Sequence, residues 1–238
     1  MTLSSKSARP RIRQSRWGLG SPVVVKFNVD DMILRLFHAL FDIYGEQHWW
    51  PSKSGSRWEI VAGAILVQNT AWGNVEKALT NLEAAGLMLP ERILSTPDDE
   101  LREAIRQAGF FMQKSRYLKA VAEFFIAHEA EYLASDDVQT VRQHLLTLKG
   151  VGKETADDIL LYAFKKPVFI IDAYTRRVAE RHLHLDGKLP YDKLQKIFMD
   201  ALPPDVELYG EYHALILALC KDSCRKSGCG ANCRHIQP

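Results

Sequence analysis

No cysteine precedes Cys220. All four stand together at the C-terminal end: Cys220, Cys224, Cys229 and Cys233. A disulfide framework spreads its cysteines along the chain it staples. A cluster at one end, in a chain with no secretion signal, favours a metal site. Long apolar runs are missing as well. None reaches the roughly 18 residues of a membrane helix, and the N-terminus lacks the apolar centre of a secretory signal. The expected compartment is therefore the cytosol of a bacterium, or the nucleus or an organelle of a eukaryote. Acid is absent from residues 1–29, which hold Lys6, Arg9, Arg11, Arg13, Arg16 and Lys26. With +2 on the whole chain, +6 on this arm leaves −4 on the rest. A basic arm on a mildly acidic body suits a polyanion, because each Lys or Arg on a phosphate releases counterions. The same Ser/Arg-rich composition also fits a solvated tail or an organelle transit peptide.

Strand signals are nearly missing too; only 167–171, Pro-Val-Phe-Ile-Ile, reads as extended. The rest follows helical periodicity. Ile33, Leu34, Phe37, Leu40 and Phe41 mark one apolar face. A stretch over 58–70 is apolar nearly all round and reads as a buried helix. Further helices are expected near 74–85, 98–107, 113–128, 138–147, 154–165, 175–184, 191–201 and 208–220. The class is all-α.

The densest signal is 145–156, Leu-Leu-Thr-Leu-Lys-Gly-Val-Gly-Lys-Glu-Thr-Ala. An apolar helix end meets Gly150-Val151-Gly152, and a new helix starts at once. Two glycines permit a tight turn with positive φ and leave backbone N–H groups uncovered at a helix N-terminus, where phosphate oxygens bind. Val151 can plug the two helices together. Lys149, Lys153 and Thr155 flank the turn. An ordinary helix–helix connection is the plain alternative.

Downstream of Glu154 comes Asp172, in 168–177, Val-Phe-Ile-Ile-Asp-Ala-Tyr-Thr-Arg-Arg. Hairpin and Asp, at this separation, resemble the endonuclease III superfamily of helix–hairpin–helix DNA glycosylases, over about residues 30–238. The resemblance implies two helical domains with the active-site cleft between them. One would be a six-helix domain over 49–166 carrying the hairpin; the other would join 29–48 to 167–238, with residues 1–28 as a basic tail. It implies that Asp172 is the catalytic carboxylate, stabilising positive charge on the sugar and orienting water; as a plain reading, Asp172 is a helix N-cap. Gln68 and Asn69 match the segment that probes the duplex. The partner would be double-stranded DNA containing a damaged base, and the protein a monomer.

Family members that also nick the strand carry a Schiff-base Lys where this chain has Glu154. The resemblance therefore implies a monofunctional glycosylase. Shorter matches, His48-Trp49-Trp50-Pro51, Gln68-Asn69-Thr70-Ala71-Trp72 and Lys221, resemble the branch that includes 3-methyladenine DNA glycosylases. They imply an alkylated purine stacked between Trp49 and Trp72, with Trp50, Glu154 and Lys221 beside it; for aromatic residues, core packing is the plain alternative. The cysteines lie where the family carries an iron–sulfur cluster, but at gaps of three, four and three where the family has six, two and five. A [4Fe–4S] cluster on Cys220, Cys224, Cys229 and Cys233 is the expectation, with zinc or four free thiols as alternatives. Two rival readings stand: a bifunctional lyase on oxidised pyrimidines, and a non-catalytic helix–hairpin–helix clamp.

Overall fold

A computed structural model describes residues 28–47, 54–234 and 236. Trp49, Trp50 and the basic tail through residue 27 lie outside them. Among the described residues the fold is all-α apart from one small hairpin. In order come α1 (Val29–Tyr44), α2 (Arg57–Leu66), α3 (Trp72–Ala84), α4 (Pro90–Ser95), α5 (Asp98–Ala104), α6 (Phe111–Ala134), α7 (Val138–Leu146) and α8 (Lys153–Asp158). A single π turn, Ile159–Ala163, extends α8. Then follow α9 (Ala173–His182), α10 (Tyr191–Ala201), α11 (Val206–Asp222) and a hairpin of β1 (Cys224–Arg225) and β2 (Gly228–Cys229). No helix among the described residues is long and apolar enough to cross a membrane.

Several expectations need correcting. The buried face of α1 is Ile33, Leu36 and Leu40, while Leu34 and Phe41 are exposed. The helix from 58 is buried at every residue through Leu66, as its all-round apolar composition requires. It stops there, short of Thr70. Asn69 takes φ 54°, a left-handed conformation that ends a helix and that Asn tolerates. The buried amine of Lys114 donates to the last carbonyl, Leu66 O, and to Ala108 O, both at 2.8 Å. Helix α4, with Pro at its first position, was not anticipated.

The strand-like reading of 167–171 does not hold, because the segment joins no sheet and has no regular secondary structure. Side chains take its polar groups in place of a ladder. Gln195 donates to Phe169 O (2.7 Å), Thr175 Oγ1 to Ile170 O (3.2 Å), and Tyr191 OH accepts from Ile171 N (3.3 Å). Gln195 also donates to the buried Asp157, which Arg142 grips through two nitrogens at 2.6 and 2.9 Å. This network ties α7, α8 and α10 to the segment that delivers Asp172. One continuous apolar core runs through the described chain. Helix α1 packs on α10 and α11, α9 packs on α11, and α2 packs on α3, α6 and the π turn.

Candidate active site

Asp172 is the N-cap of α9, with Oδ1 accepting from Thr175 N at 2.7 Å. His213 Nε2, from α11, stands 3.7 Å from Oδ2, and its other ring nitrogen meets Tyr162 OH at 2.8 Å. If the tyrosine donates, Nε2 carries the proton and faces the carboxylate. Burial works against the charge on Asp172. The His213 ring and the Thr175 N–H outweigh it and hold the carboxyl below its ordinary range.

This carboxylate opens into a cavity of about 390 Å³. Its walls come from the turn after α2 (Val67, Gln68, Asn69, Thr70, Ala71), from Trp72, from α8 (Glu154, Thr155, Asp158), from the start of α9 (Asp172, Ala173, Tyr174) and from α11 (His213, Leu217, Lys221). Sequence reading named Gln68, Asn69, Trp72, Glu154, Thr155, Asp172 and Lys221, and the fold brings all seven together. It missed Asp158, Tyr174 and His213. Asp158 sits one helical turn after Glu154, so the i, i+4 spacing was a usable signal. His213 offered none, because it reaches Asp172 from a helix remote in the chain.

The three carboxyl groups are not equivalent. Asp158 is deeply buried, and burial followed by the charges of Glu154, Asp172 and Asp157 raises it well above the ordinary range. Glu154 sits in the concavity but water still reaches it. Desolvation there, then the charge of Asp172, raises it to about 6.

The hairpin borders the cavity. Gly150 has φ 93°, and a Cβ on it would meet the Tyr117 ring at 2.3 Å. Gly152 is extended, at φ −91°, and caps α8 with no side-chain hydrogen bond, so only one of the two glycines needs positive φ. Val151 is buried as the plug. Gln68 Nε2 donates to Gly150 O (2.9 Å) and Thr155 Oγ1 (3.0 Å), so this side chain locks the hairpin to the turn after α2. Lys149 is exposed, and neither it nor Lys153 lines the cavity. The Lys153 amine is bound to Asp192 of α10.

At the far end of α9, His182 gathers with Cys224, Cys229 and Cys233, their ligand atoms all within 4.8 Å of one another. This group could hold a metal ion. Cys220 is buried nearby in α11, its sulfur 3.9 Å from Tyr174 O.

A model of the HhH-GPD superfamily of base excision DNA repair proteins matches residues 62–204, which include the hairpin, Glu154 and Asp172. The chain belongs to this superfamily. It is a DNA glycosylase of the base excision repair family. It is 45% identical over 213 residues to a Methanocaldococcus jannaschii protein provisionally named a DNA repair glycosylase, covering 88% of this chain and 96% of that one. It is 29% identical over 174 residues to endonuclease III of Sulfolobus acidocaldarius, covering 73% and 76%. Among solved structures it is similar to the H. pylori 3-methyladenine DNA glycosylase MagIII bound to 1,N6-ethenoadenine. That likeness has a TM-score of 0.69 and 25% identity, and covers 82% of this chain and 98% of the other. The likeness supports the branch as well as the superfamily.

Proposed function

We propose that this glycosylase hydrolyses the N-glycosidic bond of an alkylated purine in duplex DNA and leaves an abasic site. The observation that carries the reading is the cavity itself. Asp172 is held ionised against the wall where Glu154, Asp158, Trp72 and Tyr174 meet. A flipped base enters between the aromatic rings. A cationic purine gains from their π faces and from the carboxylates, and its glycosidic bond is already weak. As the bond opens, charge builds on the sugar, and Asp172 stabilises it and orients the water. The backbone of the exposed Gly152 and Lys153, at the start of α8, grips a phosphate, and Asn69, exposed at its left-handed turn, faces the duplex.

Glu154 occupies the Schiff-base position and cannot form an imine. The neighbouring Lys153 is turned onto Asp192. These observations support a monofunctional enzyme. Lys221 also lines the cavity, which favours one second reading, a lyase acting through that amine. The cleft would lie between two helical units, 49–166 and 29–48 with 167–238.

Single-turnover cleavage of duplexes bearing 3-methyladenine, 1,N6-ethenoadenine, uracil or thymine glycol, scored with and without hot alkali, tests the reading. Alkylated purines should be released, with strand breaks only after alkali. Efficient release of uracil or thymine glycol with methylated DNA ignored would remove the substrate assignment. A borohydride-trapped adduct would establish the lyase.

A further inference from the structure

We propose that His182, Cys224, Cys229 and Cys233 bind one tetrahedral zinc ion, and that Cys220 is not a ligand. Distance is the first argument. The four donor atoms lie within 4.8 Å of one another. Zinc binds sulfur at about 2.3 Å and imidazole nitrogen at about 2.0–2.1 Å, so tetrahedral donors on one ion stand roughly 3.5–4 Å apart. The existing donors reach that with small side-chain shifts. A [4Fe–4S] cluster puts each thiolate on a different iron, so its ligand sulfurs are spread across the cluster. The present spacing suits one ion.

The histidine is the second argument. His182 is buried, and its Nε2 has no hydrogen-bond partner in the structure. An orphaned buried ring nitrogen carries a desolvation cost. Its Nδ1 stands 3.4 Å from Ile236 O. A carbonyl can only accept, so Nδ1 carries the proton and the Nε2 lone pair is left for a metal. Ligating histidines are oriented in this way by the bond their other nitrogen makes.

Backbone and charge agree. The hairpin pairs Cys224 directly with Cys229, presenting two sulfurs from one turn. Three thiolates on a divalent ion leave one negative charge. Arg181 Nη1 sits 3.6 Å from the Cys224 sulfur and 4.0 Å from that of Cys229. It also donates to Arg225 O at 2.7 Å, which fixes it there. Cys220 touches Cys224 but stands outside the set of four whose donor atoms all lie within 4.8 Å of one another, and its sulfur also approaches Tyr174 O at 3.9 Å. The consequence is positional: the ion fastens the last turn of α9 to the C-terminal segment, and Asp172 caps the other end of α9.

The test is the metal content of protein purified without oxygen from iron-supplemented cells. One zinc per chain, no acid-labile sulfide and no broad visible absorption are expected. Cobalt exchange should give tetrahedral d–d bands with sulfur-to-cobalt charge transfer. Cys220→Ser should keep full occupancy. His182→Ala, and separately Cys229→Ser at the exposed end of the site, should each weaken zinc binding by more than about tenfold. Iron with labile sulfide overturns the proposal. So does metal-free wild-type protein, or loss of metal in Cys220→Ser with retention in His182→Ala.

Discussion

At the scale of single residues, three carboxyl groups share one cavity and cannot all be ionised at little cost. Asp172 wins the charge because it accepts the Thr175 N–H at 2.7 Å and faces His213. Asn in its place keeps the size and loses the charge. Asp172→Asn should lower single-turnover base release by at least about 10²-fold and leave duplex affinity within a few-fold. Retained release would reassign the carboxylate. Glu154 gives a pH signature. Its carboxyl is raised to about 6, so it is mostly neutral at pH 5 and mostly charged at pH 7. A cationic purine loses an anionic neighbour as Glu154 takes up its proton. Release of a methylated purine should therefore fall as pH drops through about 6. Glu154→Gln should hold the acid-side rate at every pH, and an unchanged profile in that variant would place the titration elsewhere. Asp172 was legible because it closes an apolar run at a fixed distance from the hairpin. Asp158 and His213 were not, since a buried acid and a histidine on an apolar helix show their purpose only when α8, α9 and α11 meet.

At the scale of elements, the hairpin shows what sequence can and cannot specify. Gly-Val-Gly between two helices announced the turn, and Val151 is its plug. The sequence did not show which glycine is conformationally required, because that depends on Tyr117 of α6, well upstream in the chain. Gly150 has φ 93° with the Tyr117 ring where a Cβ would be, while Gly152 is extended with open space around it. Gly150→Ala should therefore destabilise the protein by roughly 2–5 kcal/mol, from backbone strain together with overpacking. Gly152→Ala should cost little stability. Denaturant melts of the two variants compare them directly; equal effects would refute the assignment. The 167–171 segment carries a similar lesson. Its β-branched, apolar composition reads as a strand, but the partners of its backbone are Gln195, Tyr191 and Thr175, which no local pattern reveals. The helix boundaries moved for comparable reasons, as where Asn69 and Lys114 end α2 before Thr70.

At the scale of the whole molecule, charge has to be reconciled with binding a polyanion. The chain is +2 overall and positions 1–29 hold six basic side chains and no acid, so the remainder carries −4. Around the hairpin, Lys153 is committed to Asp192, and the cavity is lined by three carboxyl groups. Long-range attraction to DNA must then come largely from the tail, while the hairpin backbone and the cavity act only at contact. The two contributions separate with salt. Each phosphate neutralised adds about 0.9 to the slope of log affinity against log salt. Deleting residues 2–27 should weaken duplex binding, most strongly at low salt, and reduce that slope by as much as about 5 if all six basic side chains reach phosphates. Single-turnover release at saturating enzyme should hardly change, because the cavity walls named above run from Val67 to Lys221. An unchanged salt slope in the truncated protein would show that the tail touches no DNA and that the body, despite its negative charge, holds the duplex alone.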